Sequence, residues 1–434
     1  MSPIVDWIMI IITTWLTYKA YKKFVFDRHC SVSYYVIFVV YVFCCLPIVF
    51  NYMIGIPQYD VVYWYRSFLP AMNNSGVAII YDIYILIAVL CLYFYGKKAN
   101  KRLRKKAAIL NNKQKNENEN PWIYIIGIIS PLVFVLLSGN ASRFLVYSSM
   151  SLRGVSGYDN LVLNSLILIS IYCNCIISFS GKINAKKMCL LALISFVLAW
   201  LQGKRFIIAV MAIFYLFFLT KSELGEKGRK KIFKVLPILG VCLIAFSAFY
   251  LAVIKPLSSM SFGSVYDMLR VDFGRDDVIK YVIYTEFFEG NHILDYPGQS
   301  FFSTLLIFIP RFIWPSKPYS HYQYLTSSIL GVEISKLPAG TTPCWYEMTL
   351  CNFSYVGFII GAFGLIAFCY LADKMKQNKS KSLVFMLILV LLTQNTDVYM
   401  VYIFFIFMYY FLQHVKHRKI RFKFGENSTR GKQV

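Results

Sequence analysis

The chain has 434 residues, 58% hydrophobic and 18% aromatic, with only 15% charged. That balance excludes an ordinary soluble globule and a disordered chain, and it fits an all-α polytopic membrane protein. A net charge of +24 would point to nucleic acid if the cations clustered on a soluble surface, so their placement along the chain decides.

A helix crossing a bilayer needs about 20 apolar residues. Spans are predicted near 3–18, 33–54, 77–95, 121–138, 160–180, 188–202, 206–220, 235–254, 353–371, 383–396 and 398–413. That makes about 11 transmembrane helices, with a range of roughly 10 to 13 because several are short. The first apolar run, Ile4 to Tyr18, has no basic residue before it, unlike a cleavable signal. Lys19, Lys22 and Lys23 follow it instead, which places the N-terminus outside. On this threading the loops 19–32, 96–120, 181–187, 221–234 and 372–382 and the tail 414–434 hold 33 of the 45 Lys and Arg. The basic excess is a positive-inside signal, the C-terminus is cytoplasmic, and no nucleic acid is expected as a partner.

The resulting segments are 1–95, N-terminal helices; 96–120, a basic and flexible cytoplasmic linker; 121–254, central helices; 255–352, one large extracytoplasmic loop between late helices; 353–413, C-terminal helices; and 414–434, a basic cytoplasmic tail. Eleven cysteines are scattered through apolar runs without CxxC or zinc spacing. They read as small membrane residues, Cys344 and Cys351 included, and neither a metal nor a cofactor is expected. In the large loop, Phe262 to Tyr284 interleaves Tyr266, Met268, Leu269, Val271 and Phe273 with Asp267, Arg270 and Asp272, as in an amphipathic helix. Phe301 to Ile309 is too short to span and reads as interfacial or re-entrant. The loop is therefore expected to lie as a lid on the outer surface, its tip at headgroup depth.

After that run comes Pro310-Arg311-Phe312-Ile313-Trp314-Pro315-Ser316-Lys317-Pro318-Tyr319-Ser320. Three prolines forbid a continuous helix and stiffen the turn, which carries two cations at the depth of a lipid-linked phosphate. Gln202-Gly203-Lys204-Arg205 is a tight turn with cations at the start of a helix, either a phosphate site or a pair of interface anchors. Arg270 and Arg275 stand among Asp272, Asp276 and Asp277, and spacing alone favours a self-paired, solvated face. Glu347 and Asn352, five apart, place an acid and an amide at the mouth of the next span.

Three of these features together resemble the Wzy-type O-antigen and polysaccharide repeat-unit polymerases. They are Arg205 after a glycine on an outer turn, the Pro-Arg-x-x-Trp-Pro-x-Lys-Pro string at 310–318, and Glu347 followed by Asn352 and Gly357. The resemblance covers roughly residues 200–370, and the late extracytoplasmic loop is similar too. It implies a multi-span glycosyltransferase of the bacterial cytoplasmic (inner) membrane, working on its outer face. Such an enzyme moves a growing glycan from undecaprenyl pyrophosphate onto an incoming lipid-linked repeat unit, with membrane lipid and a chain-length regulator protein as partners.

The resemblance implies pyrophosphate binding by Lys204, Arg205, Arg270, Arg275, Arg311 and Lys317. It implies an acceptor base at Glu347 or Asp272, ahead of Asp276, His292 and His321. Sugar or interface contacts fall to Trp314, Tyr319, Asn352 and His321. Competing readings are an O-antigen ligase, which would use a loop histidine, and a lipid-linked oligosaccharide flippase, which would line a cavity with charge where Asp82 is almost the only intramembrane one. A non-catalytic assembly partner is the remaining alternative.

Overall fold

The computed structural model describes residues 3–60, 63–110, 121–139, 141–145, 157–181, 184–203, 206–222, 224–249, 261–307, 309, 311–337, 340–375, 377–394 and 402–408. Every regular element among them is helical, with no strand. Five helices are long and apolar enough to cross a membrane: Ser33–Met53, Ser75–Lys105, Asp159–Ser178, Ala185–Gln202 and Trp345–Lys374. Two shorter apolar helices, Pro121–Leu137 and Ile207–Lys221, accompany them.

Local chemistry sets the ends. Asn184 accepts from the Lys187 N–H at the start of Ala185–Gln202, and Gly203 ends that helix at φ 65°, a left-handed conformation that costs glycine little. In Ser33–Met53 the helix loosens into a π-turn at Tyr41–Cys45, just before Pro47. Proline has no N–H for the carbonyl four residues earlier. That carbonyl, on Phe43, accepts the Arg275 N–H at 2.9 Å instead.

The core gathers Pro3–Phe26, Ser33–Met53, Ser75–Leu110, Asp276–Phe287, Trp345–Lys374 and Asn378–Thr393, which pack on one another. Asn378–Thr393 is buried from Ser380 onward. The segment 96–120 differs from the expected flexible linker. Ser75–Leu110 continues as helix through its basic end, where Arg104 pairs with Asp27 at 2.9 Å; residues 111–120 lie outside the described residues. Much of the predicted span 398–413 and the tail 414–434 lie outside them too.

One helix of the region expected to lie on the surface as a lid is buried in the bundle instead. Phe262–Phe273 and Asp276–Phe287 are separate helices broken at Gly274, where a Cβ would stand 2.7 Å from the Arg270 carbonyl. All of Asp276–Ile283 is buried, against Ser75–Leu110 and Trp345–Lys374. An amphipathic pattern reports only that one face is polar. Here that face meets compensating charge inside the protein rather than water.

Trp345–Lys374 is also not one rod. Ser354 has φ 46° and ψ −126°, outside helical space. A straight helix would separate Trp345 from Gly361 by about 24 Å at 1.5 Å per residue, yet the Trp345 indole donates to the Gly361 carbonyl at 2.9 Å. The chain reverses at Ser354, so Trp345–Phe353 runs back along the following leg. Glycines make this approach possible: a Cβ at Gly357 would lie 2.2 Å from the Thr349 carbonyl oxygen, and one at Gly364 2.4 Å from the Trp345 ring.

Candidate active site

The tip of this hairpin holds the short helix Gln299–Leu305. Asn352 accepts the Gly298 N–H on its carbonyl and the Ser300 N–H on its side-chain oxygen, both at 3.0 Å. Gly298, at φ 78°, turns the chain into that helix after Asp295-Tyr296-Pro297. Ser303 ties the helix to the carbonyl of Tyr319 at 3.1 Å, so the proline-rich turn folds back over it.

Behind the turn lies a buried relay. Glu347 accepts the Cys344 N–H at 3.0 Å in a capping box, and its other oxygen meets His321 Nε2 at 2.9 Å. The Cys351 thiol donates to that second oxygen at 3.7 Å. His321 Nδ1 meets Ser300 Oγ at 2.6 Å. With Glu347 ionised, Nε2–H donates to the carboxylate and the Ser300 hydroxyl donates to Nδ1. Both His321 and Glu347 are fully buried. The Ser–His–acid order is that of an acyl-transfer triad, but the Ser300 hydroxyl is itself buried and its N–H is already given to Asn352. His321, Glu347 and Cys351 bring potential ligand atoms within 4.8 Å of one another and could hold a divalent ion; their hydrogen bonds to each other already satisfy them.

In front of the relay is a cavity of about 230 Å³, lined by Asp295, Tyr296, Gln299, Arg311, Trp314, Pro315, Ser316, Lys317, Pro318, Tyr319 and Tyr324. Arg311 is exposed and lies 4.0 Å above the Tyr319 ring, donating to the carbonyls of Lys317 (2.7 Å) and Pro318 (3.2 Å). A guanidinium has five N–H donors, so donors remain for a ligand. Lys317 is held differently from expectation. It is buried, and its ammonium donates to the carbonyls of Ile307 and Ile309, both at 2.9 Å. Those carbonyls lie just past the end of the short helix, where no i+4 N–H comes to meet them. Trp314 donates to Ser316 and packs edge-on against Phe302.

The structure thus brings together Arg311, Lys317, Trp314 and Tyr319, while His321, Glu347 and Asn352 stand outside the lining and reach it through Ser300 on the short helix. Arg270 and Arg275 stand elsewhere, and the solvated face expected from spacing is corrected. Arg270 is buried and pairs with Asp276 at 2.9 Å and Asp277 at 2.7 Å. Arg275 is buried and donates to the carbonyls of Gly274 and Thr393. His292 meets Glu286 at 2.8 Å, away from the cavity. Asp272 lies on Phe262–Phe273, its side chain outside the described residues, as are Lys204 and Arg205.

Spacing missed Asp295, Gln299 and Ser300; only the Pro297-Gly298 turn signal marked the helix start that carries them. It also undercounted the charge in the core. Asp82 is joined there by Asp6, Lys280, Asp276 and Asp277, all buried. Compared with protein-family models, with curated proteins and with solved structures, the chain shows no match in any of the three.

Proposed function

We propose that the chain is a repeat-unit polymerase of the bacterial cytoplasmic membrane. It would transfer a growing glycan from undecaprenyl pyrophosphate to a lipid-linked repeat unit on the outer face, with about 11 spans, the N-terminus outside and the C-terminus inside. The observation that carries this reading is the cavity under the proline-rich turn, where one exposed guanidinium, stacked on Tyr319, stands among four aromatic rings. Aromatic faces suit the apolar faces of sugar rings. A guanidinium forks onto phosphate oxygens.

In this reading Arg311 holds the donor pyrophosphate and meets the charge that develops on it as the glycosidic bond breaks. One such preorganised donor contributes about 2.7–4 kcal/mol to the transition state. Lys317 fixes the turn that aims it, and Lys204 and Arg205 are the further candidates for the second phosphate. Glu347 acts through His321, locking the helix that frames the cavity. Phe302, Leu305, Phe312 and Ile313 are exposed around the turn, which seats it against lipid at the level of the headgroups.

The test is reconstitution of the purified protein with lipid-linked repeat unit, with and without chelator. Polymer growth unchanged by chelator is the expected result. A protein that moves the unit across a bilayer but never lengthens it would instead be a flippase.

A further inference from the structure

Resting on the polymerase reading, we propose that Asp295 is the general base of the transfer and that the cavity it lines takes the acceptor sugar. Proton abstraction needs a carboxylate that substrate can touch. The acids on the neighbouring helices fail that requirement. Asp267 is buried and accepts from the backbone of Gln58 and Asp60. Asp276 and Asp277 are buried on Arg270, Glu286 is buried beneath His292, and Glu347 is buried on His321. Among the residues lining the cavity, Asp295 is the one acid, and it is exposed.

Its position is also built rather than incidental. Gln299, 1% exposed, reaches back with its amide oxygen to the Asp295 N–H at 2.7 Å. Its amide nitrogen donates to Asp295 Oδ2 and to the Tyr324 hydroxyl, both at 2.8 Å. The carboxylate is thereby oriented while keeping acceptor capacity for a substrate hydroxyl. Arg311 lines the same cavity without forming an ion pair to Asp295 among the described residues. At about 230 Å³, the cavity is smaller than the roughly 300–1,000 Å³ of drug-sized sites, which fits one sugar ring rather than an oligosaccharide.

The step balances without a further reactant. The acceptor hydroxyl gives its proton to Asp295 while its oxygen attacks the donor's anomeric carbon. The bond from that carbon to the pyrophosphate oxygen breaks, the electron pair leaves with undecaprenyl pyrophosphate, and Arg311 meets the new charge. Gln299 is a positioning residue for Asp295.

The experiment uses the full-length protein in lipid nanodiscs and the lipid-linked repeat unit extracted from cells lacking this protein. Polymer formation is followed on gels and unit binding by tryptophan fluorescence. Asp295→Asn should slow polymer formation by at least about 100-fold, in the range for loss of a general base, with unit binding changed less than about threefold. Asp295→Glu should recover part of the rate. If Asp295→Asn does not fold, Gln299→Met keeps the carboxylate but frees it, and should slow polymer formation with unit binding changed less than about threefold; an unchanged rate overturns the assignment. Asp295→Asn at wild-type rate, or a loss explained entirely by weaker binding, also overturns it. A wild-type protein that neither binds nor extends the unit sinks the polymerase reading itself, which separates the two failures.

Discussion

Replacing Glu347 separates a catalytic carboxylate from one that holds the scaffold. In the structure its oxygens accept from the Cys344 N–H, from His321 Nε2 and from the Cys351 thiol, with no exposed surface. Glu347→Ala leaves two good buried donors unmet, at about 1–3 kcal/mol each, so the loss is roughly 2–6 kcal/mol against a typical stability of about 5–15 kcal/mol. Glu347→Gln is milder. Its amide oxygen can still cap Cys344, while its NH₂ faces His321 and turns Nε2 into an acceptor, which sends Nδ1–H toward Ser300. The two variants should therefore differ sharply when melted in detergent with tryptophan fluorescence as the probe. Glu347→Ala should lose most of its cooperative transition, and Glu347→Gln should keep it with less than about a tenfold loss of polymer formation. A Glu347→Gln protein with an unchanged melt and a loss of 100-fold or more would restore Glu347 as the base and refute the scaffold reasoning. An unshifted melt in Glu347→Ala would show that the buried bonds are not made.

Arg311→Ala should shorten surface polymer to single units, and Arg311→Lys should not restore it, because an ammonium cannot both fork and stack; normal chain length in either variant counts against the pyrophosphate role. Lys317→Met should instead lower the melting temperature, since two half-buried carbonyls lose their donor, at up to about 1–3 kcal/mol each. Gly357→Ala drives a methyl into the Thr349 carbonyl and should cost about 1–3 kcal/mol, whereas Gly240→Ala, with nothing within 4 Å of its Cβ, should be neutral or stabilising by melt.

The helical class and several boundaries were legible because hydropathy and capping act locally. The predicted span 33–54 matches the candidate span Ser33–Met53, and 121–138 coincides with the shorter apolar helix Pro121–Leu137. What escaped depends on partners distant in the chain. Hydropathy marks Trp345–Lys374 as apolar but carries no sign of direction, so the reversal at Ser354 could be found only from the Trp345–Gly361 contact. The acids Asp276 and Asp277 looked solvated because their compensating guanidinium lies across a helix break. At the site, proline spacing marked the turn that carries Arg311. It could not show that Lys317 would be consumed by the carbonyls of Ile307 and Ile309, just past a helix only seven residues long. Asp295 follows no spacing rule; it becomes conspicuous only once Gln299 and the turn close around it.

The burial of Asp276–Phe287 bears on how the protein is made. This helix carries Asp276, Asp277, Lys280 and Glu286 inward, and insertion costs about 2.5–3.5 kcal/mol for each Asp or Lys at the centre of an isolated membrane helix. Its neutralising contacts come from Arg270, just before it, and its packing comes from Ser75–Leu110, made long earlier, and from Trp345–Lys374, not yet made. Those charges therefore find their full set of neighbours only once the late helices have been made. A nascent chain stopped before Trp345 would leave the helix open to protease, and the finished protein would not.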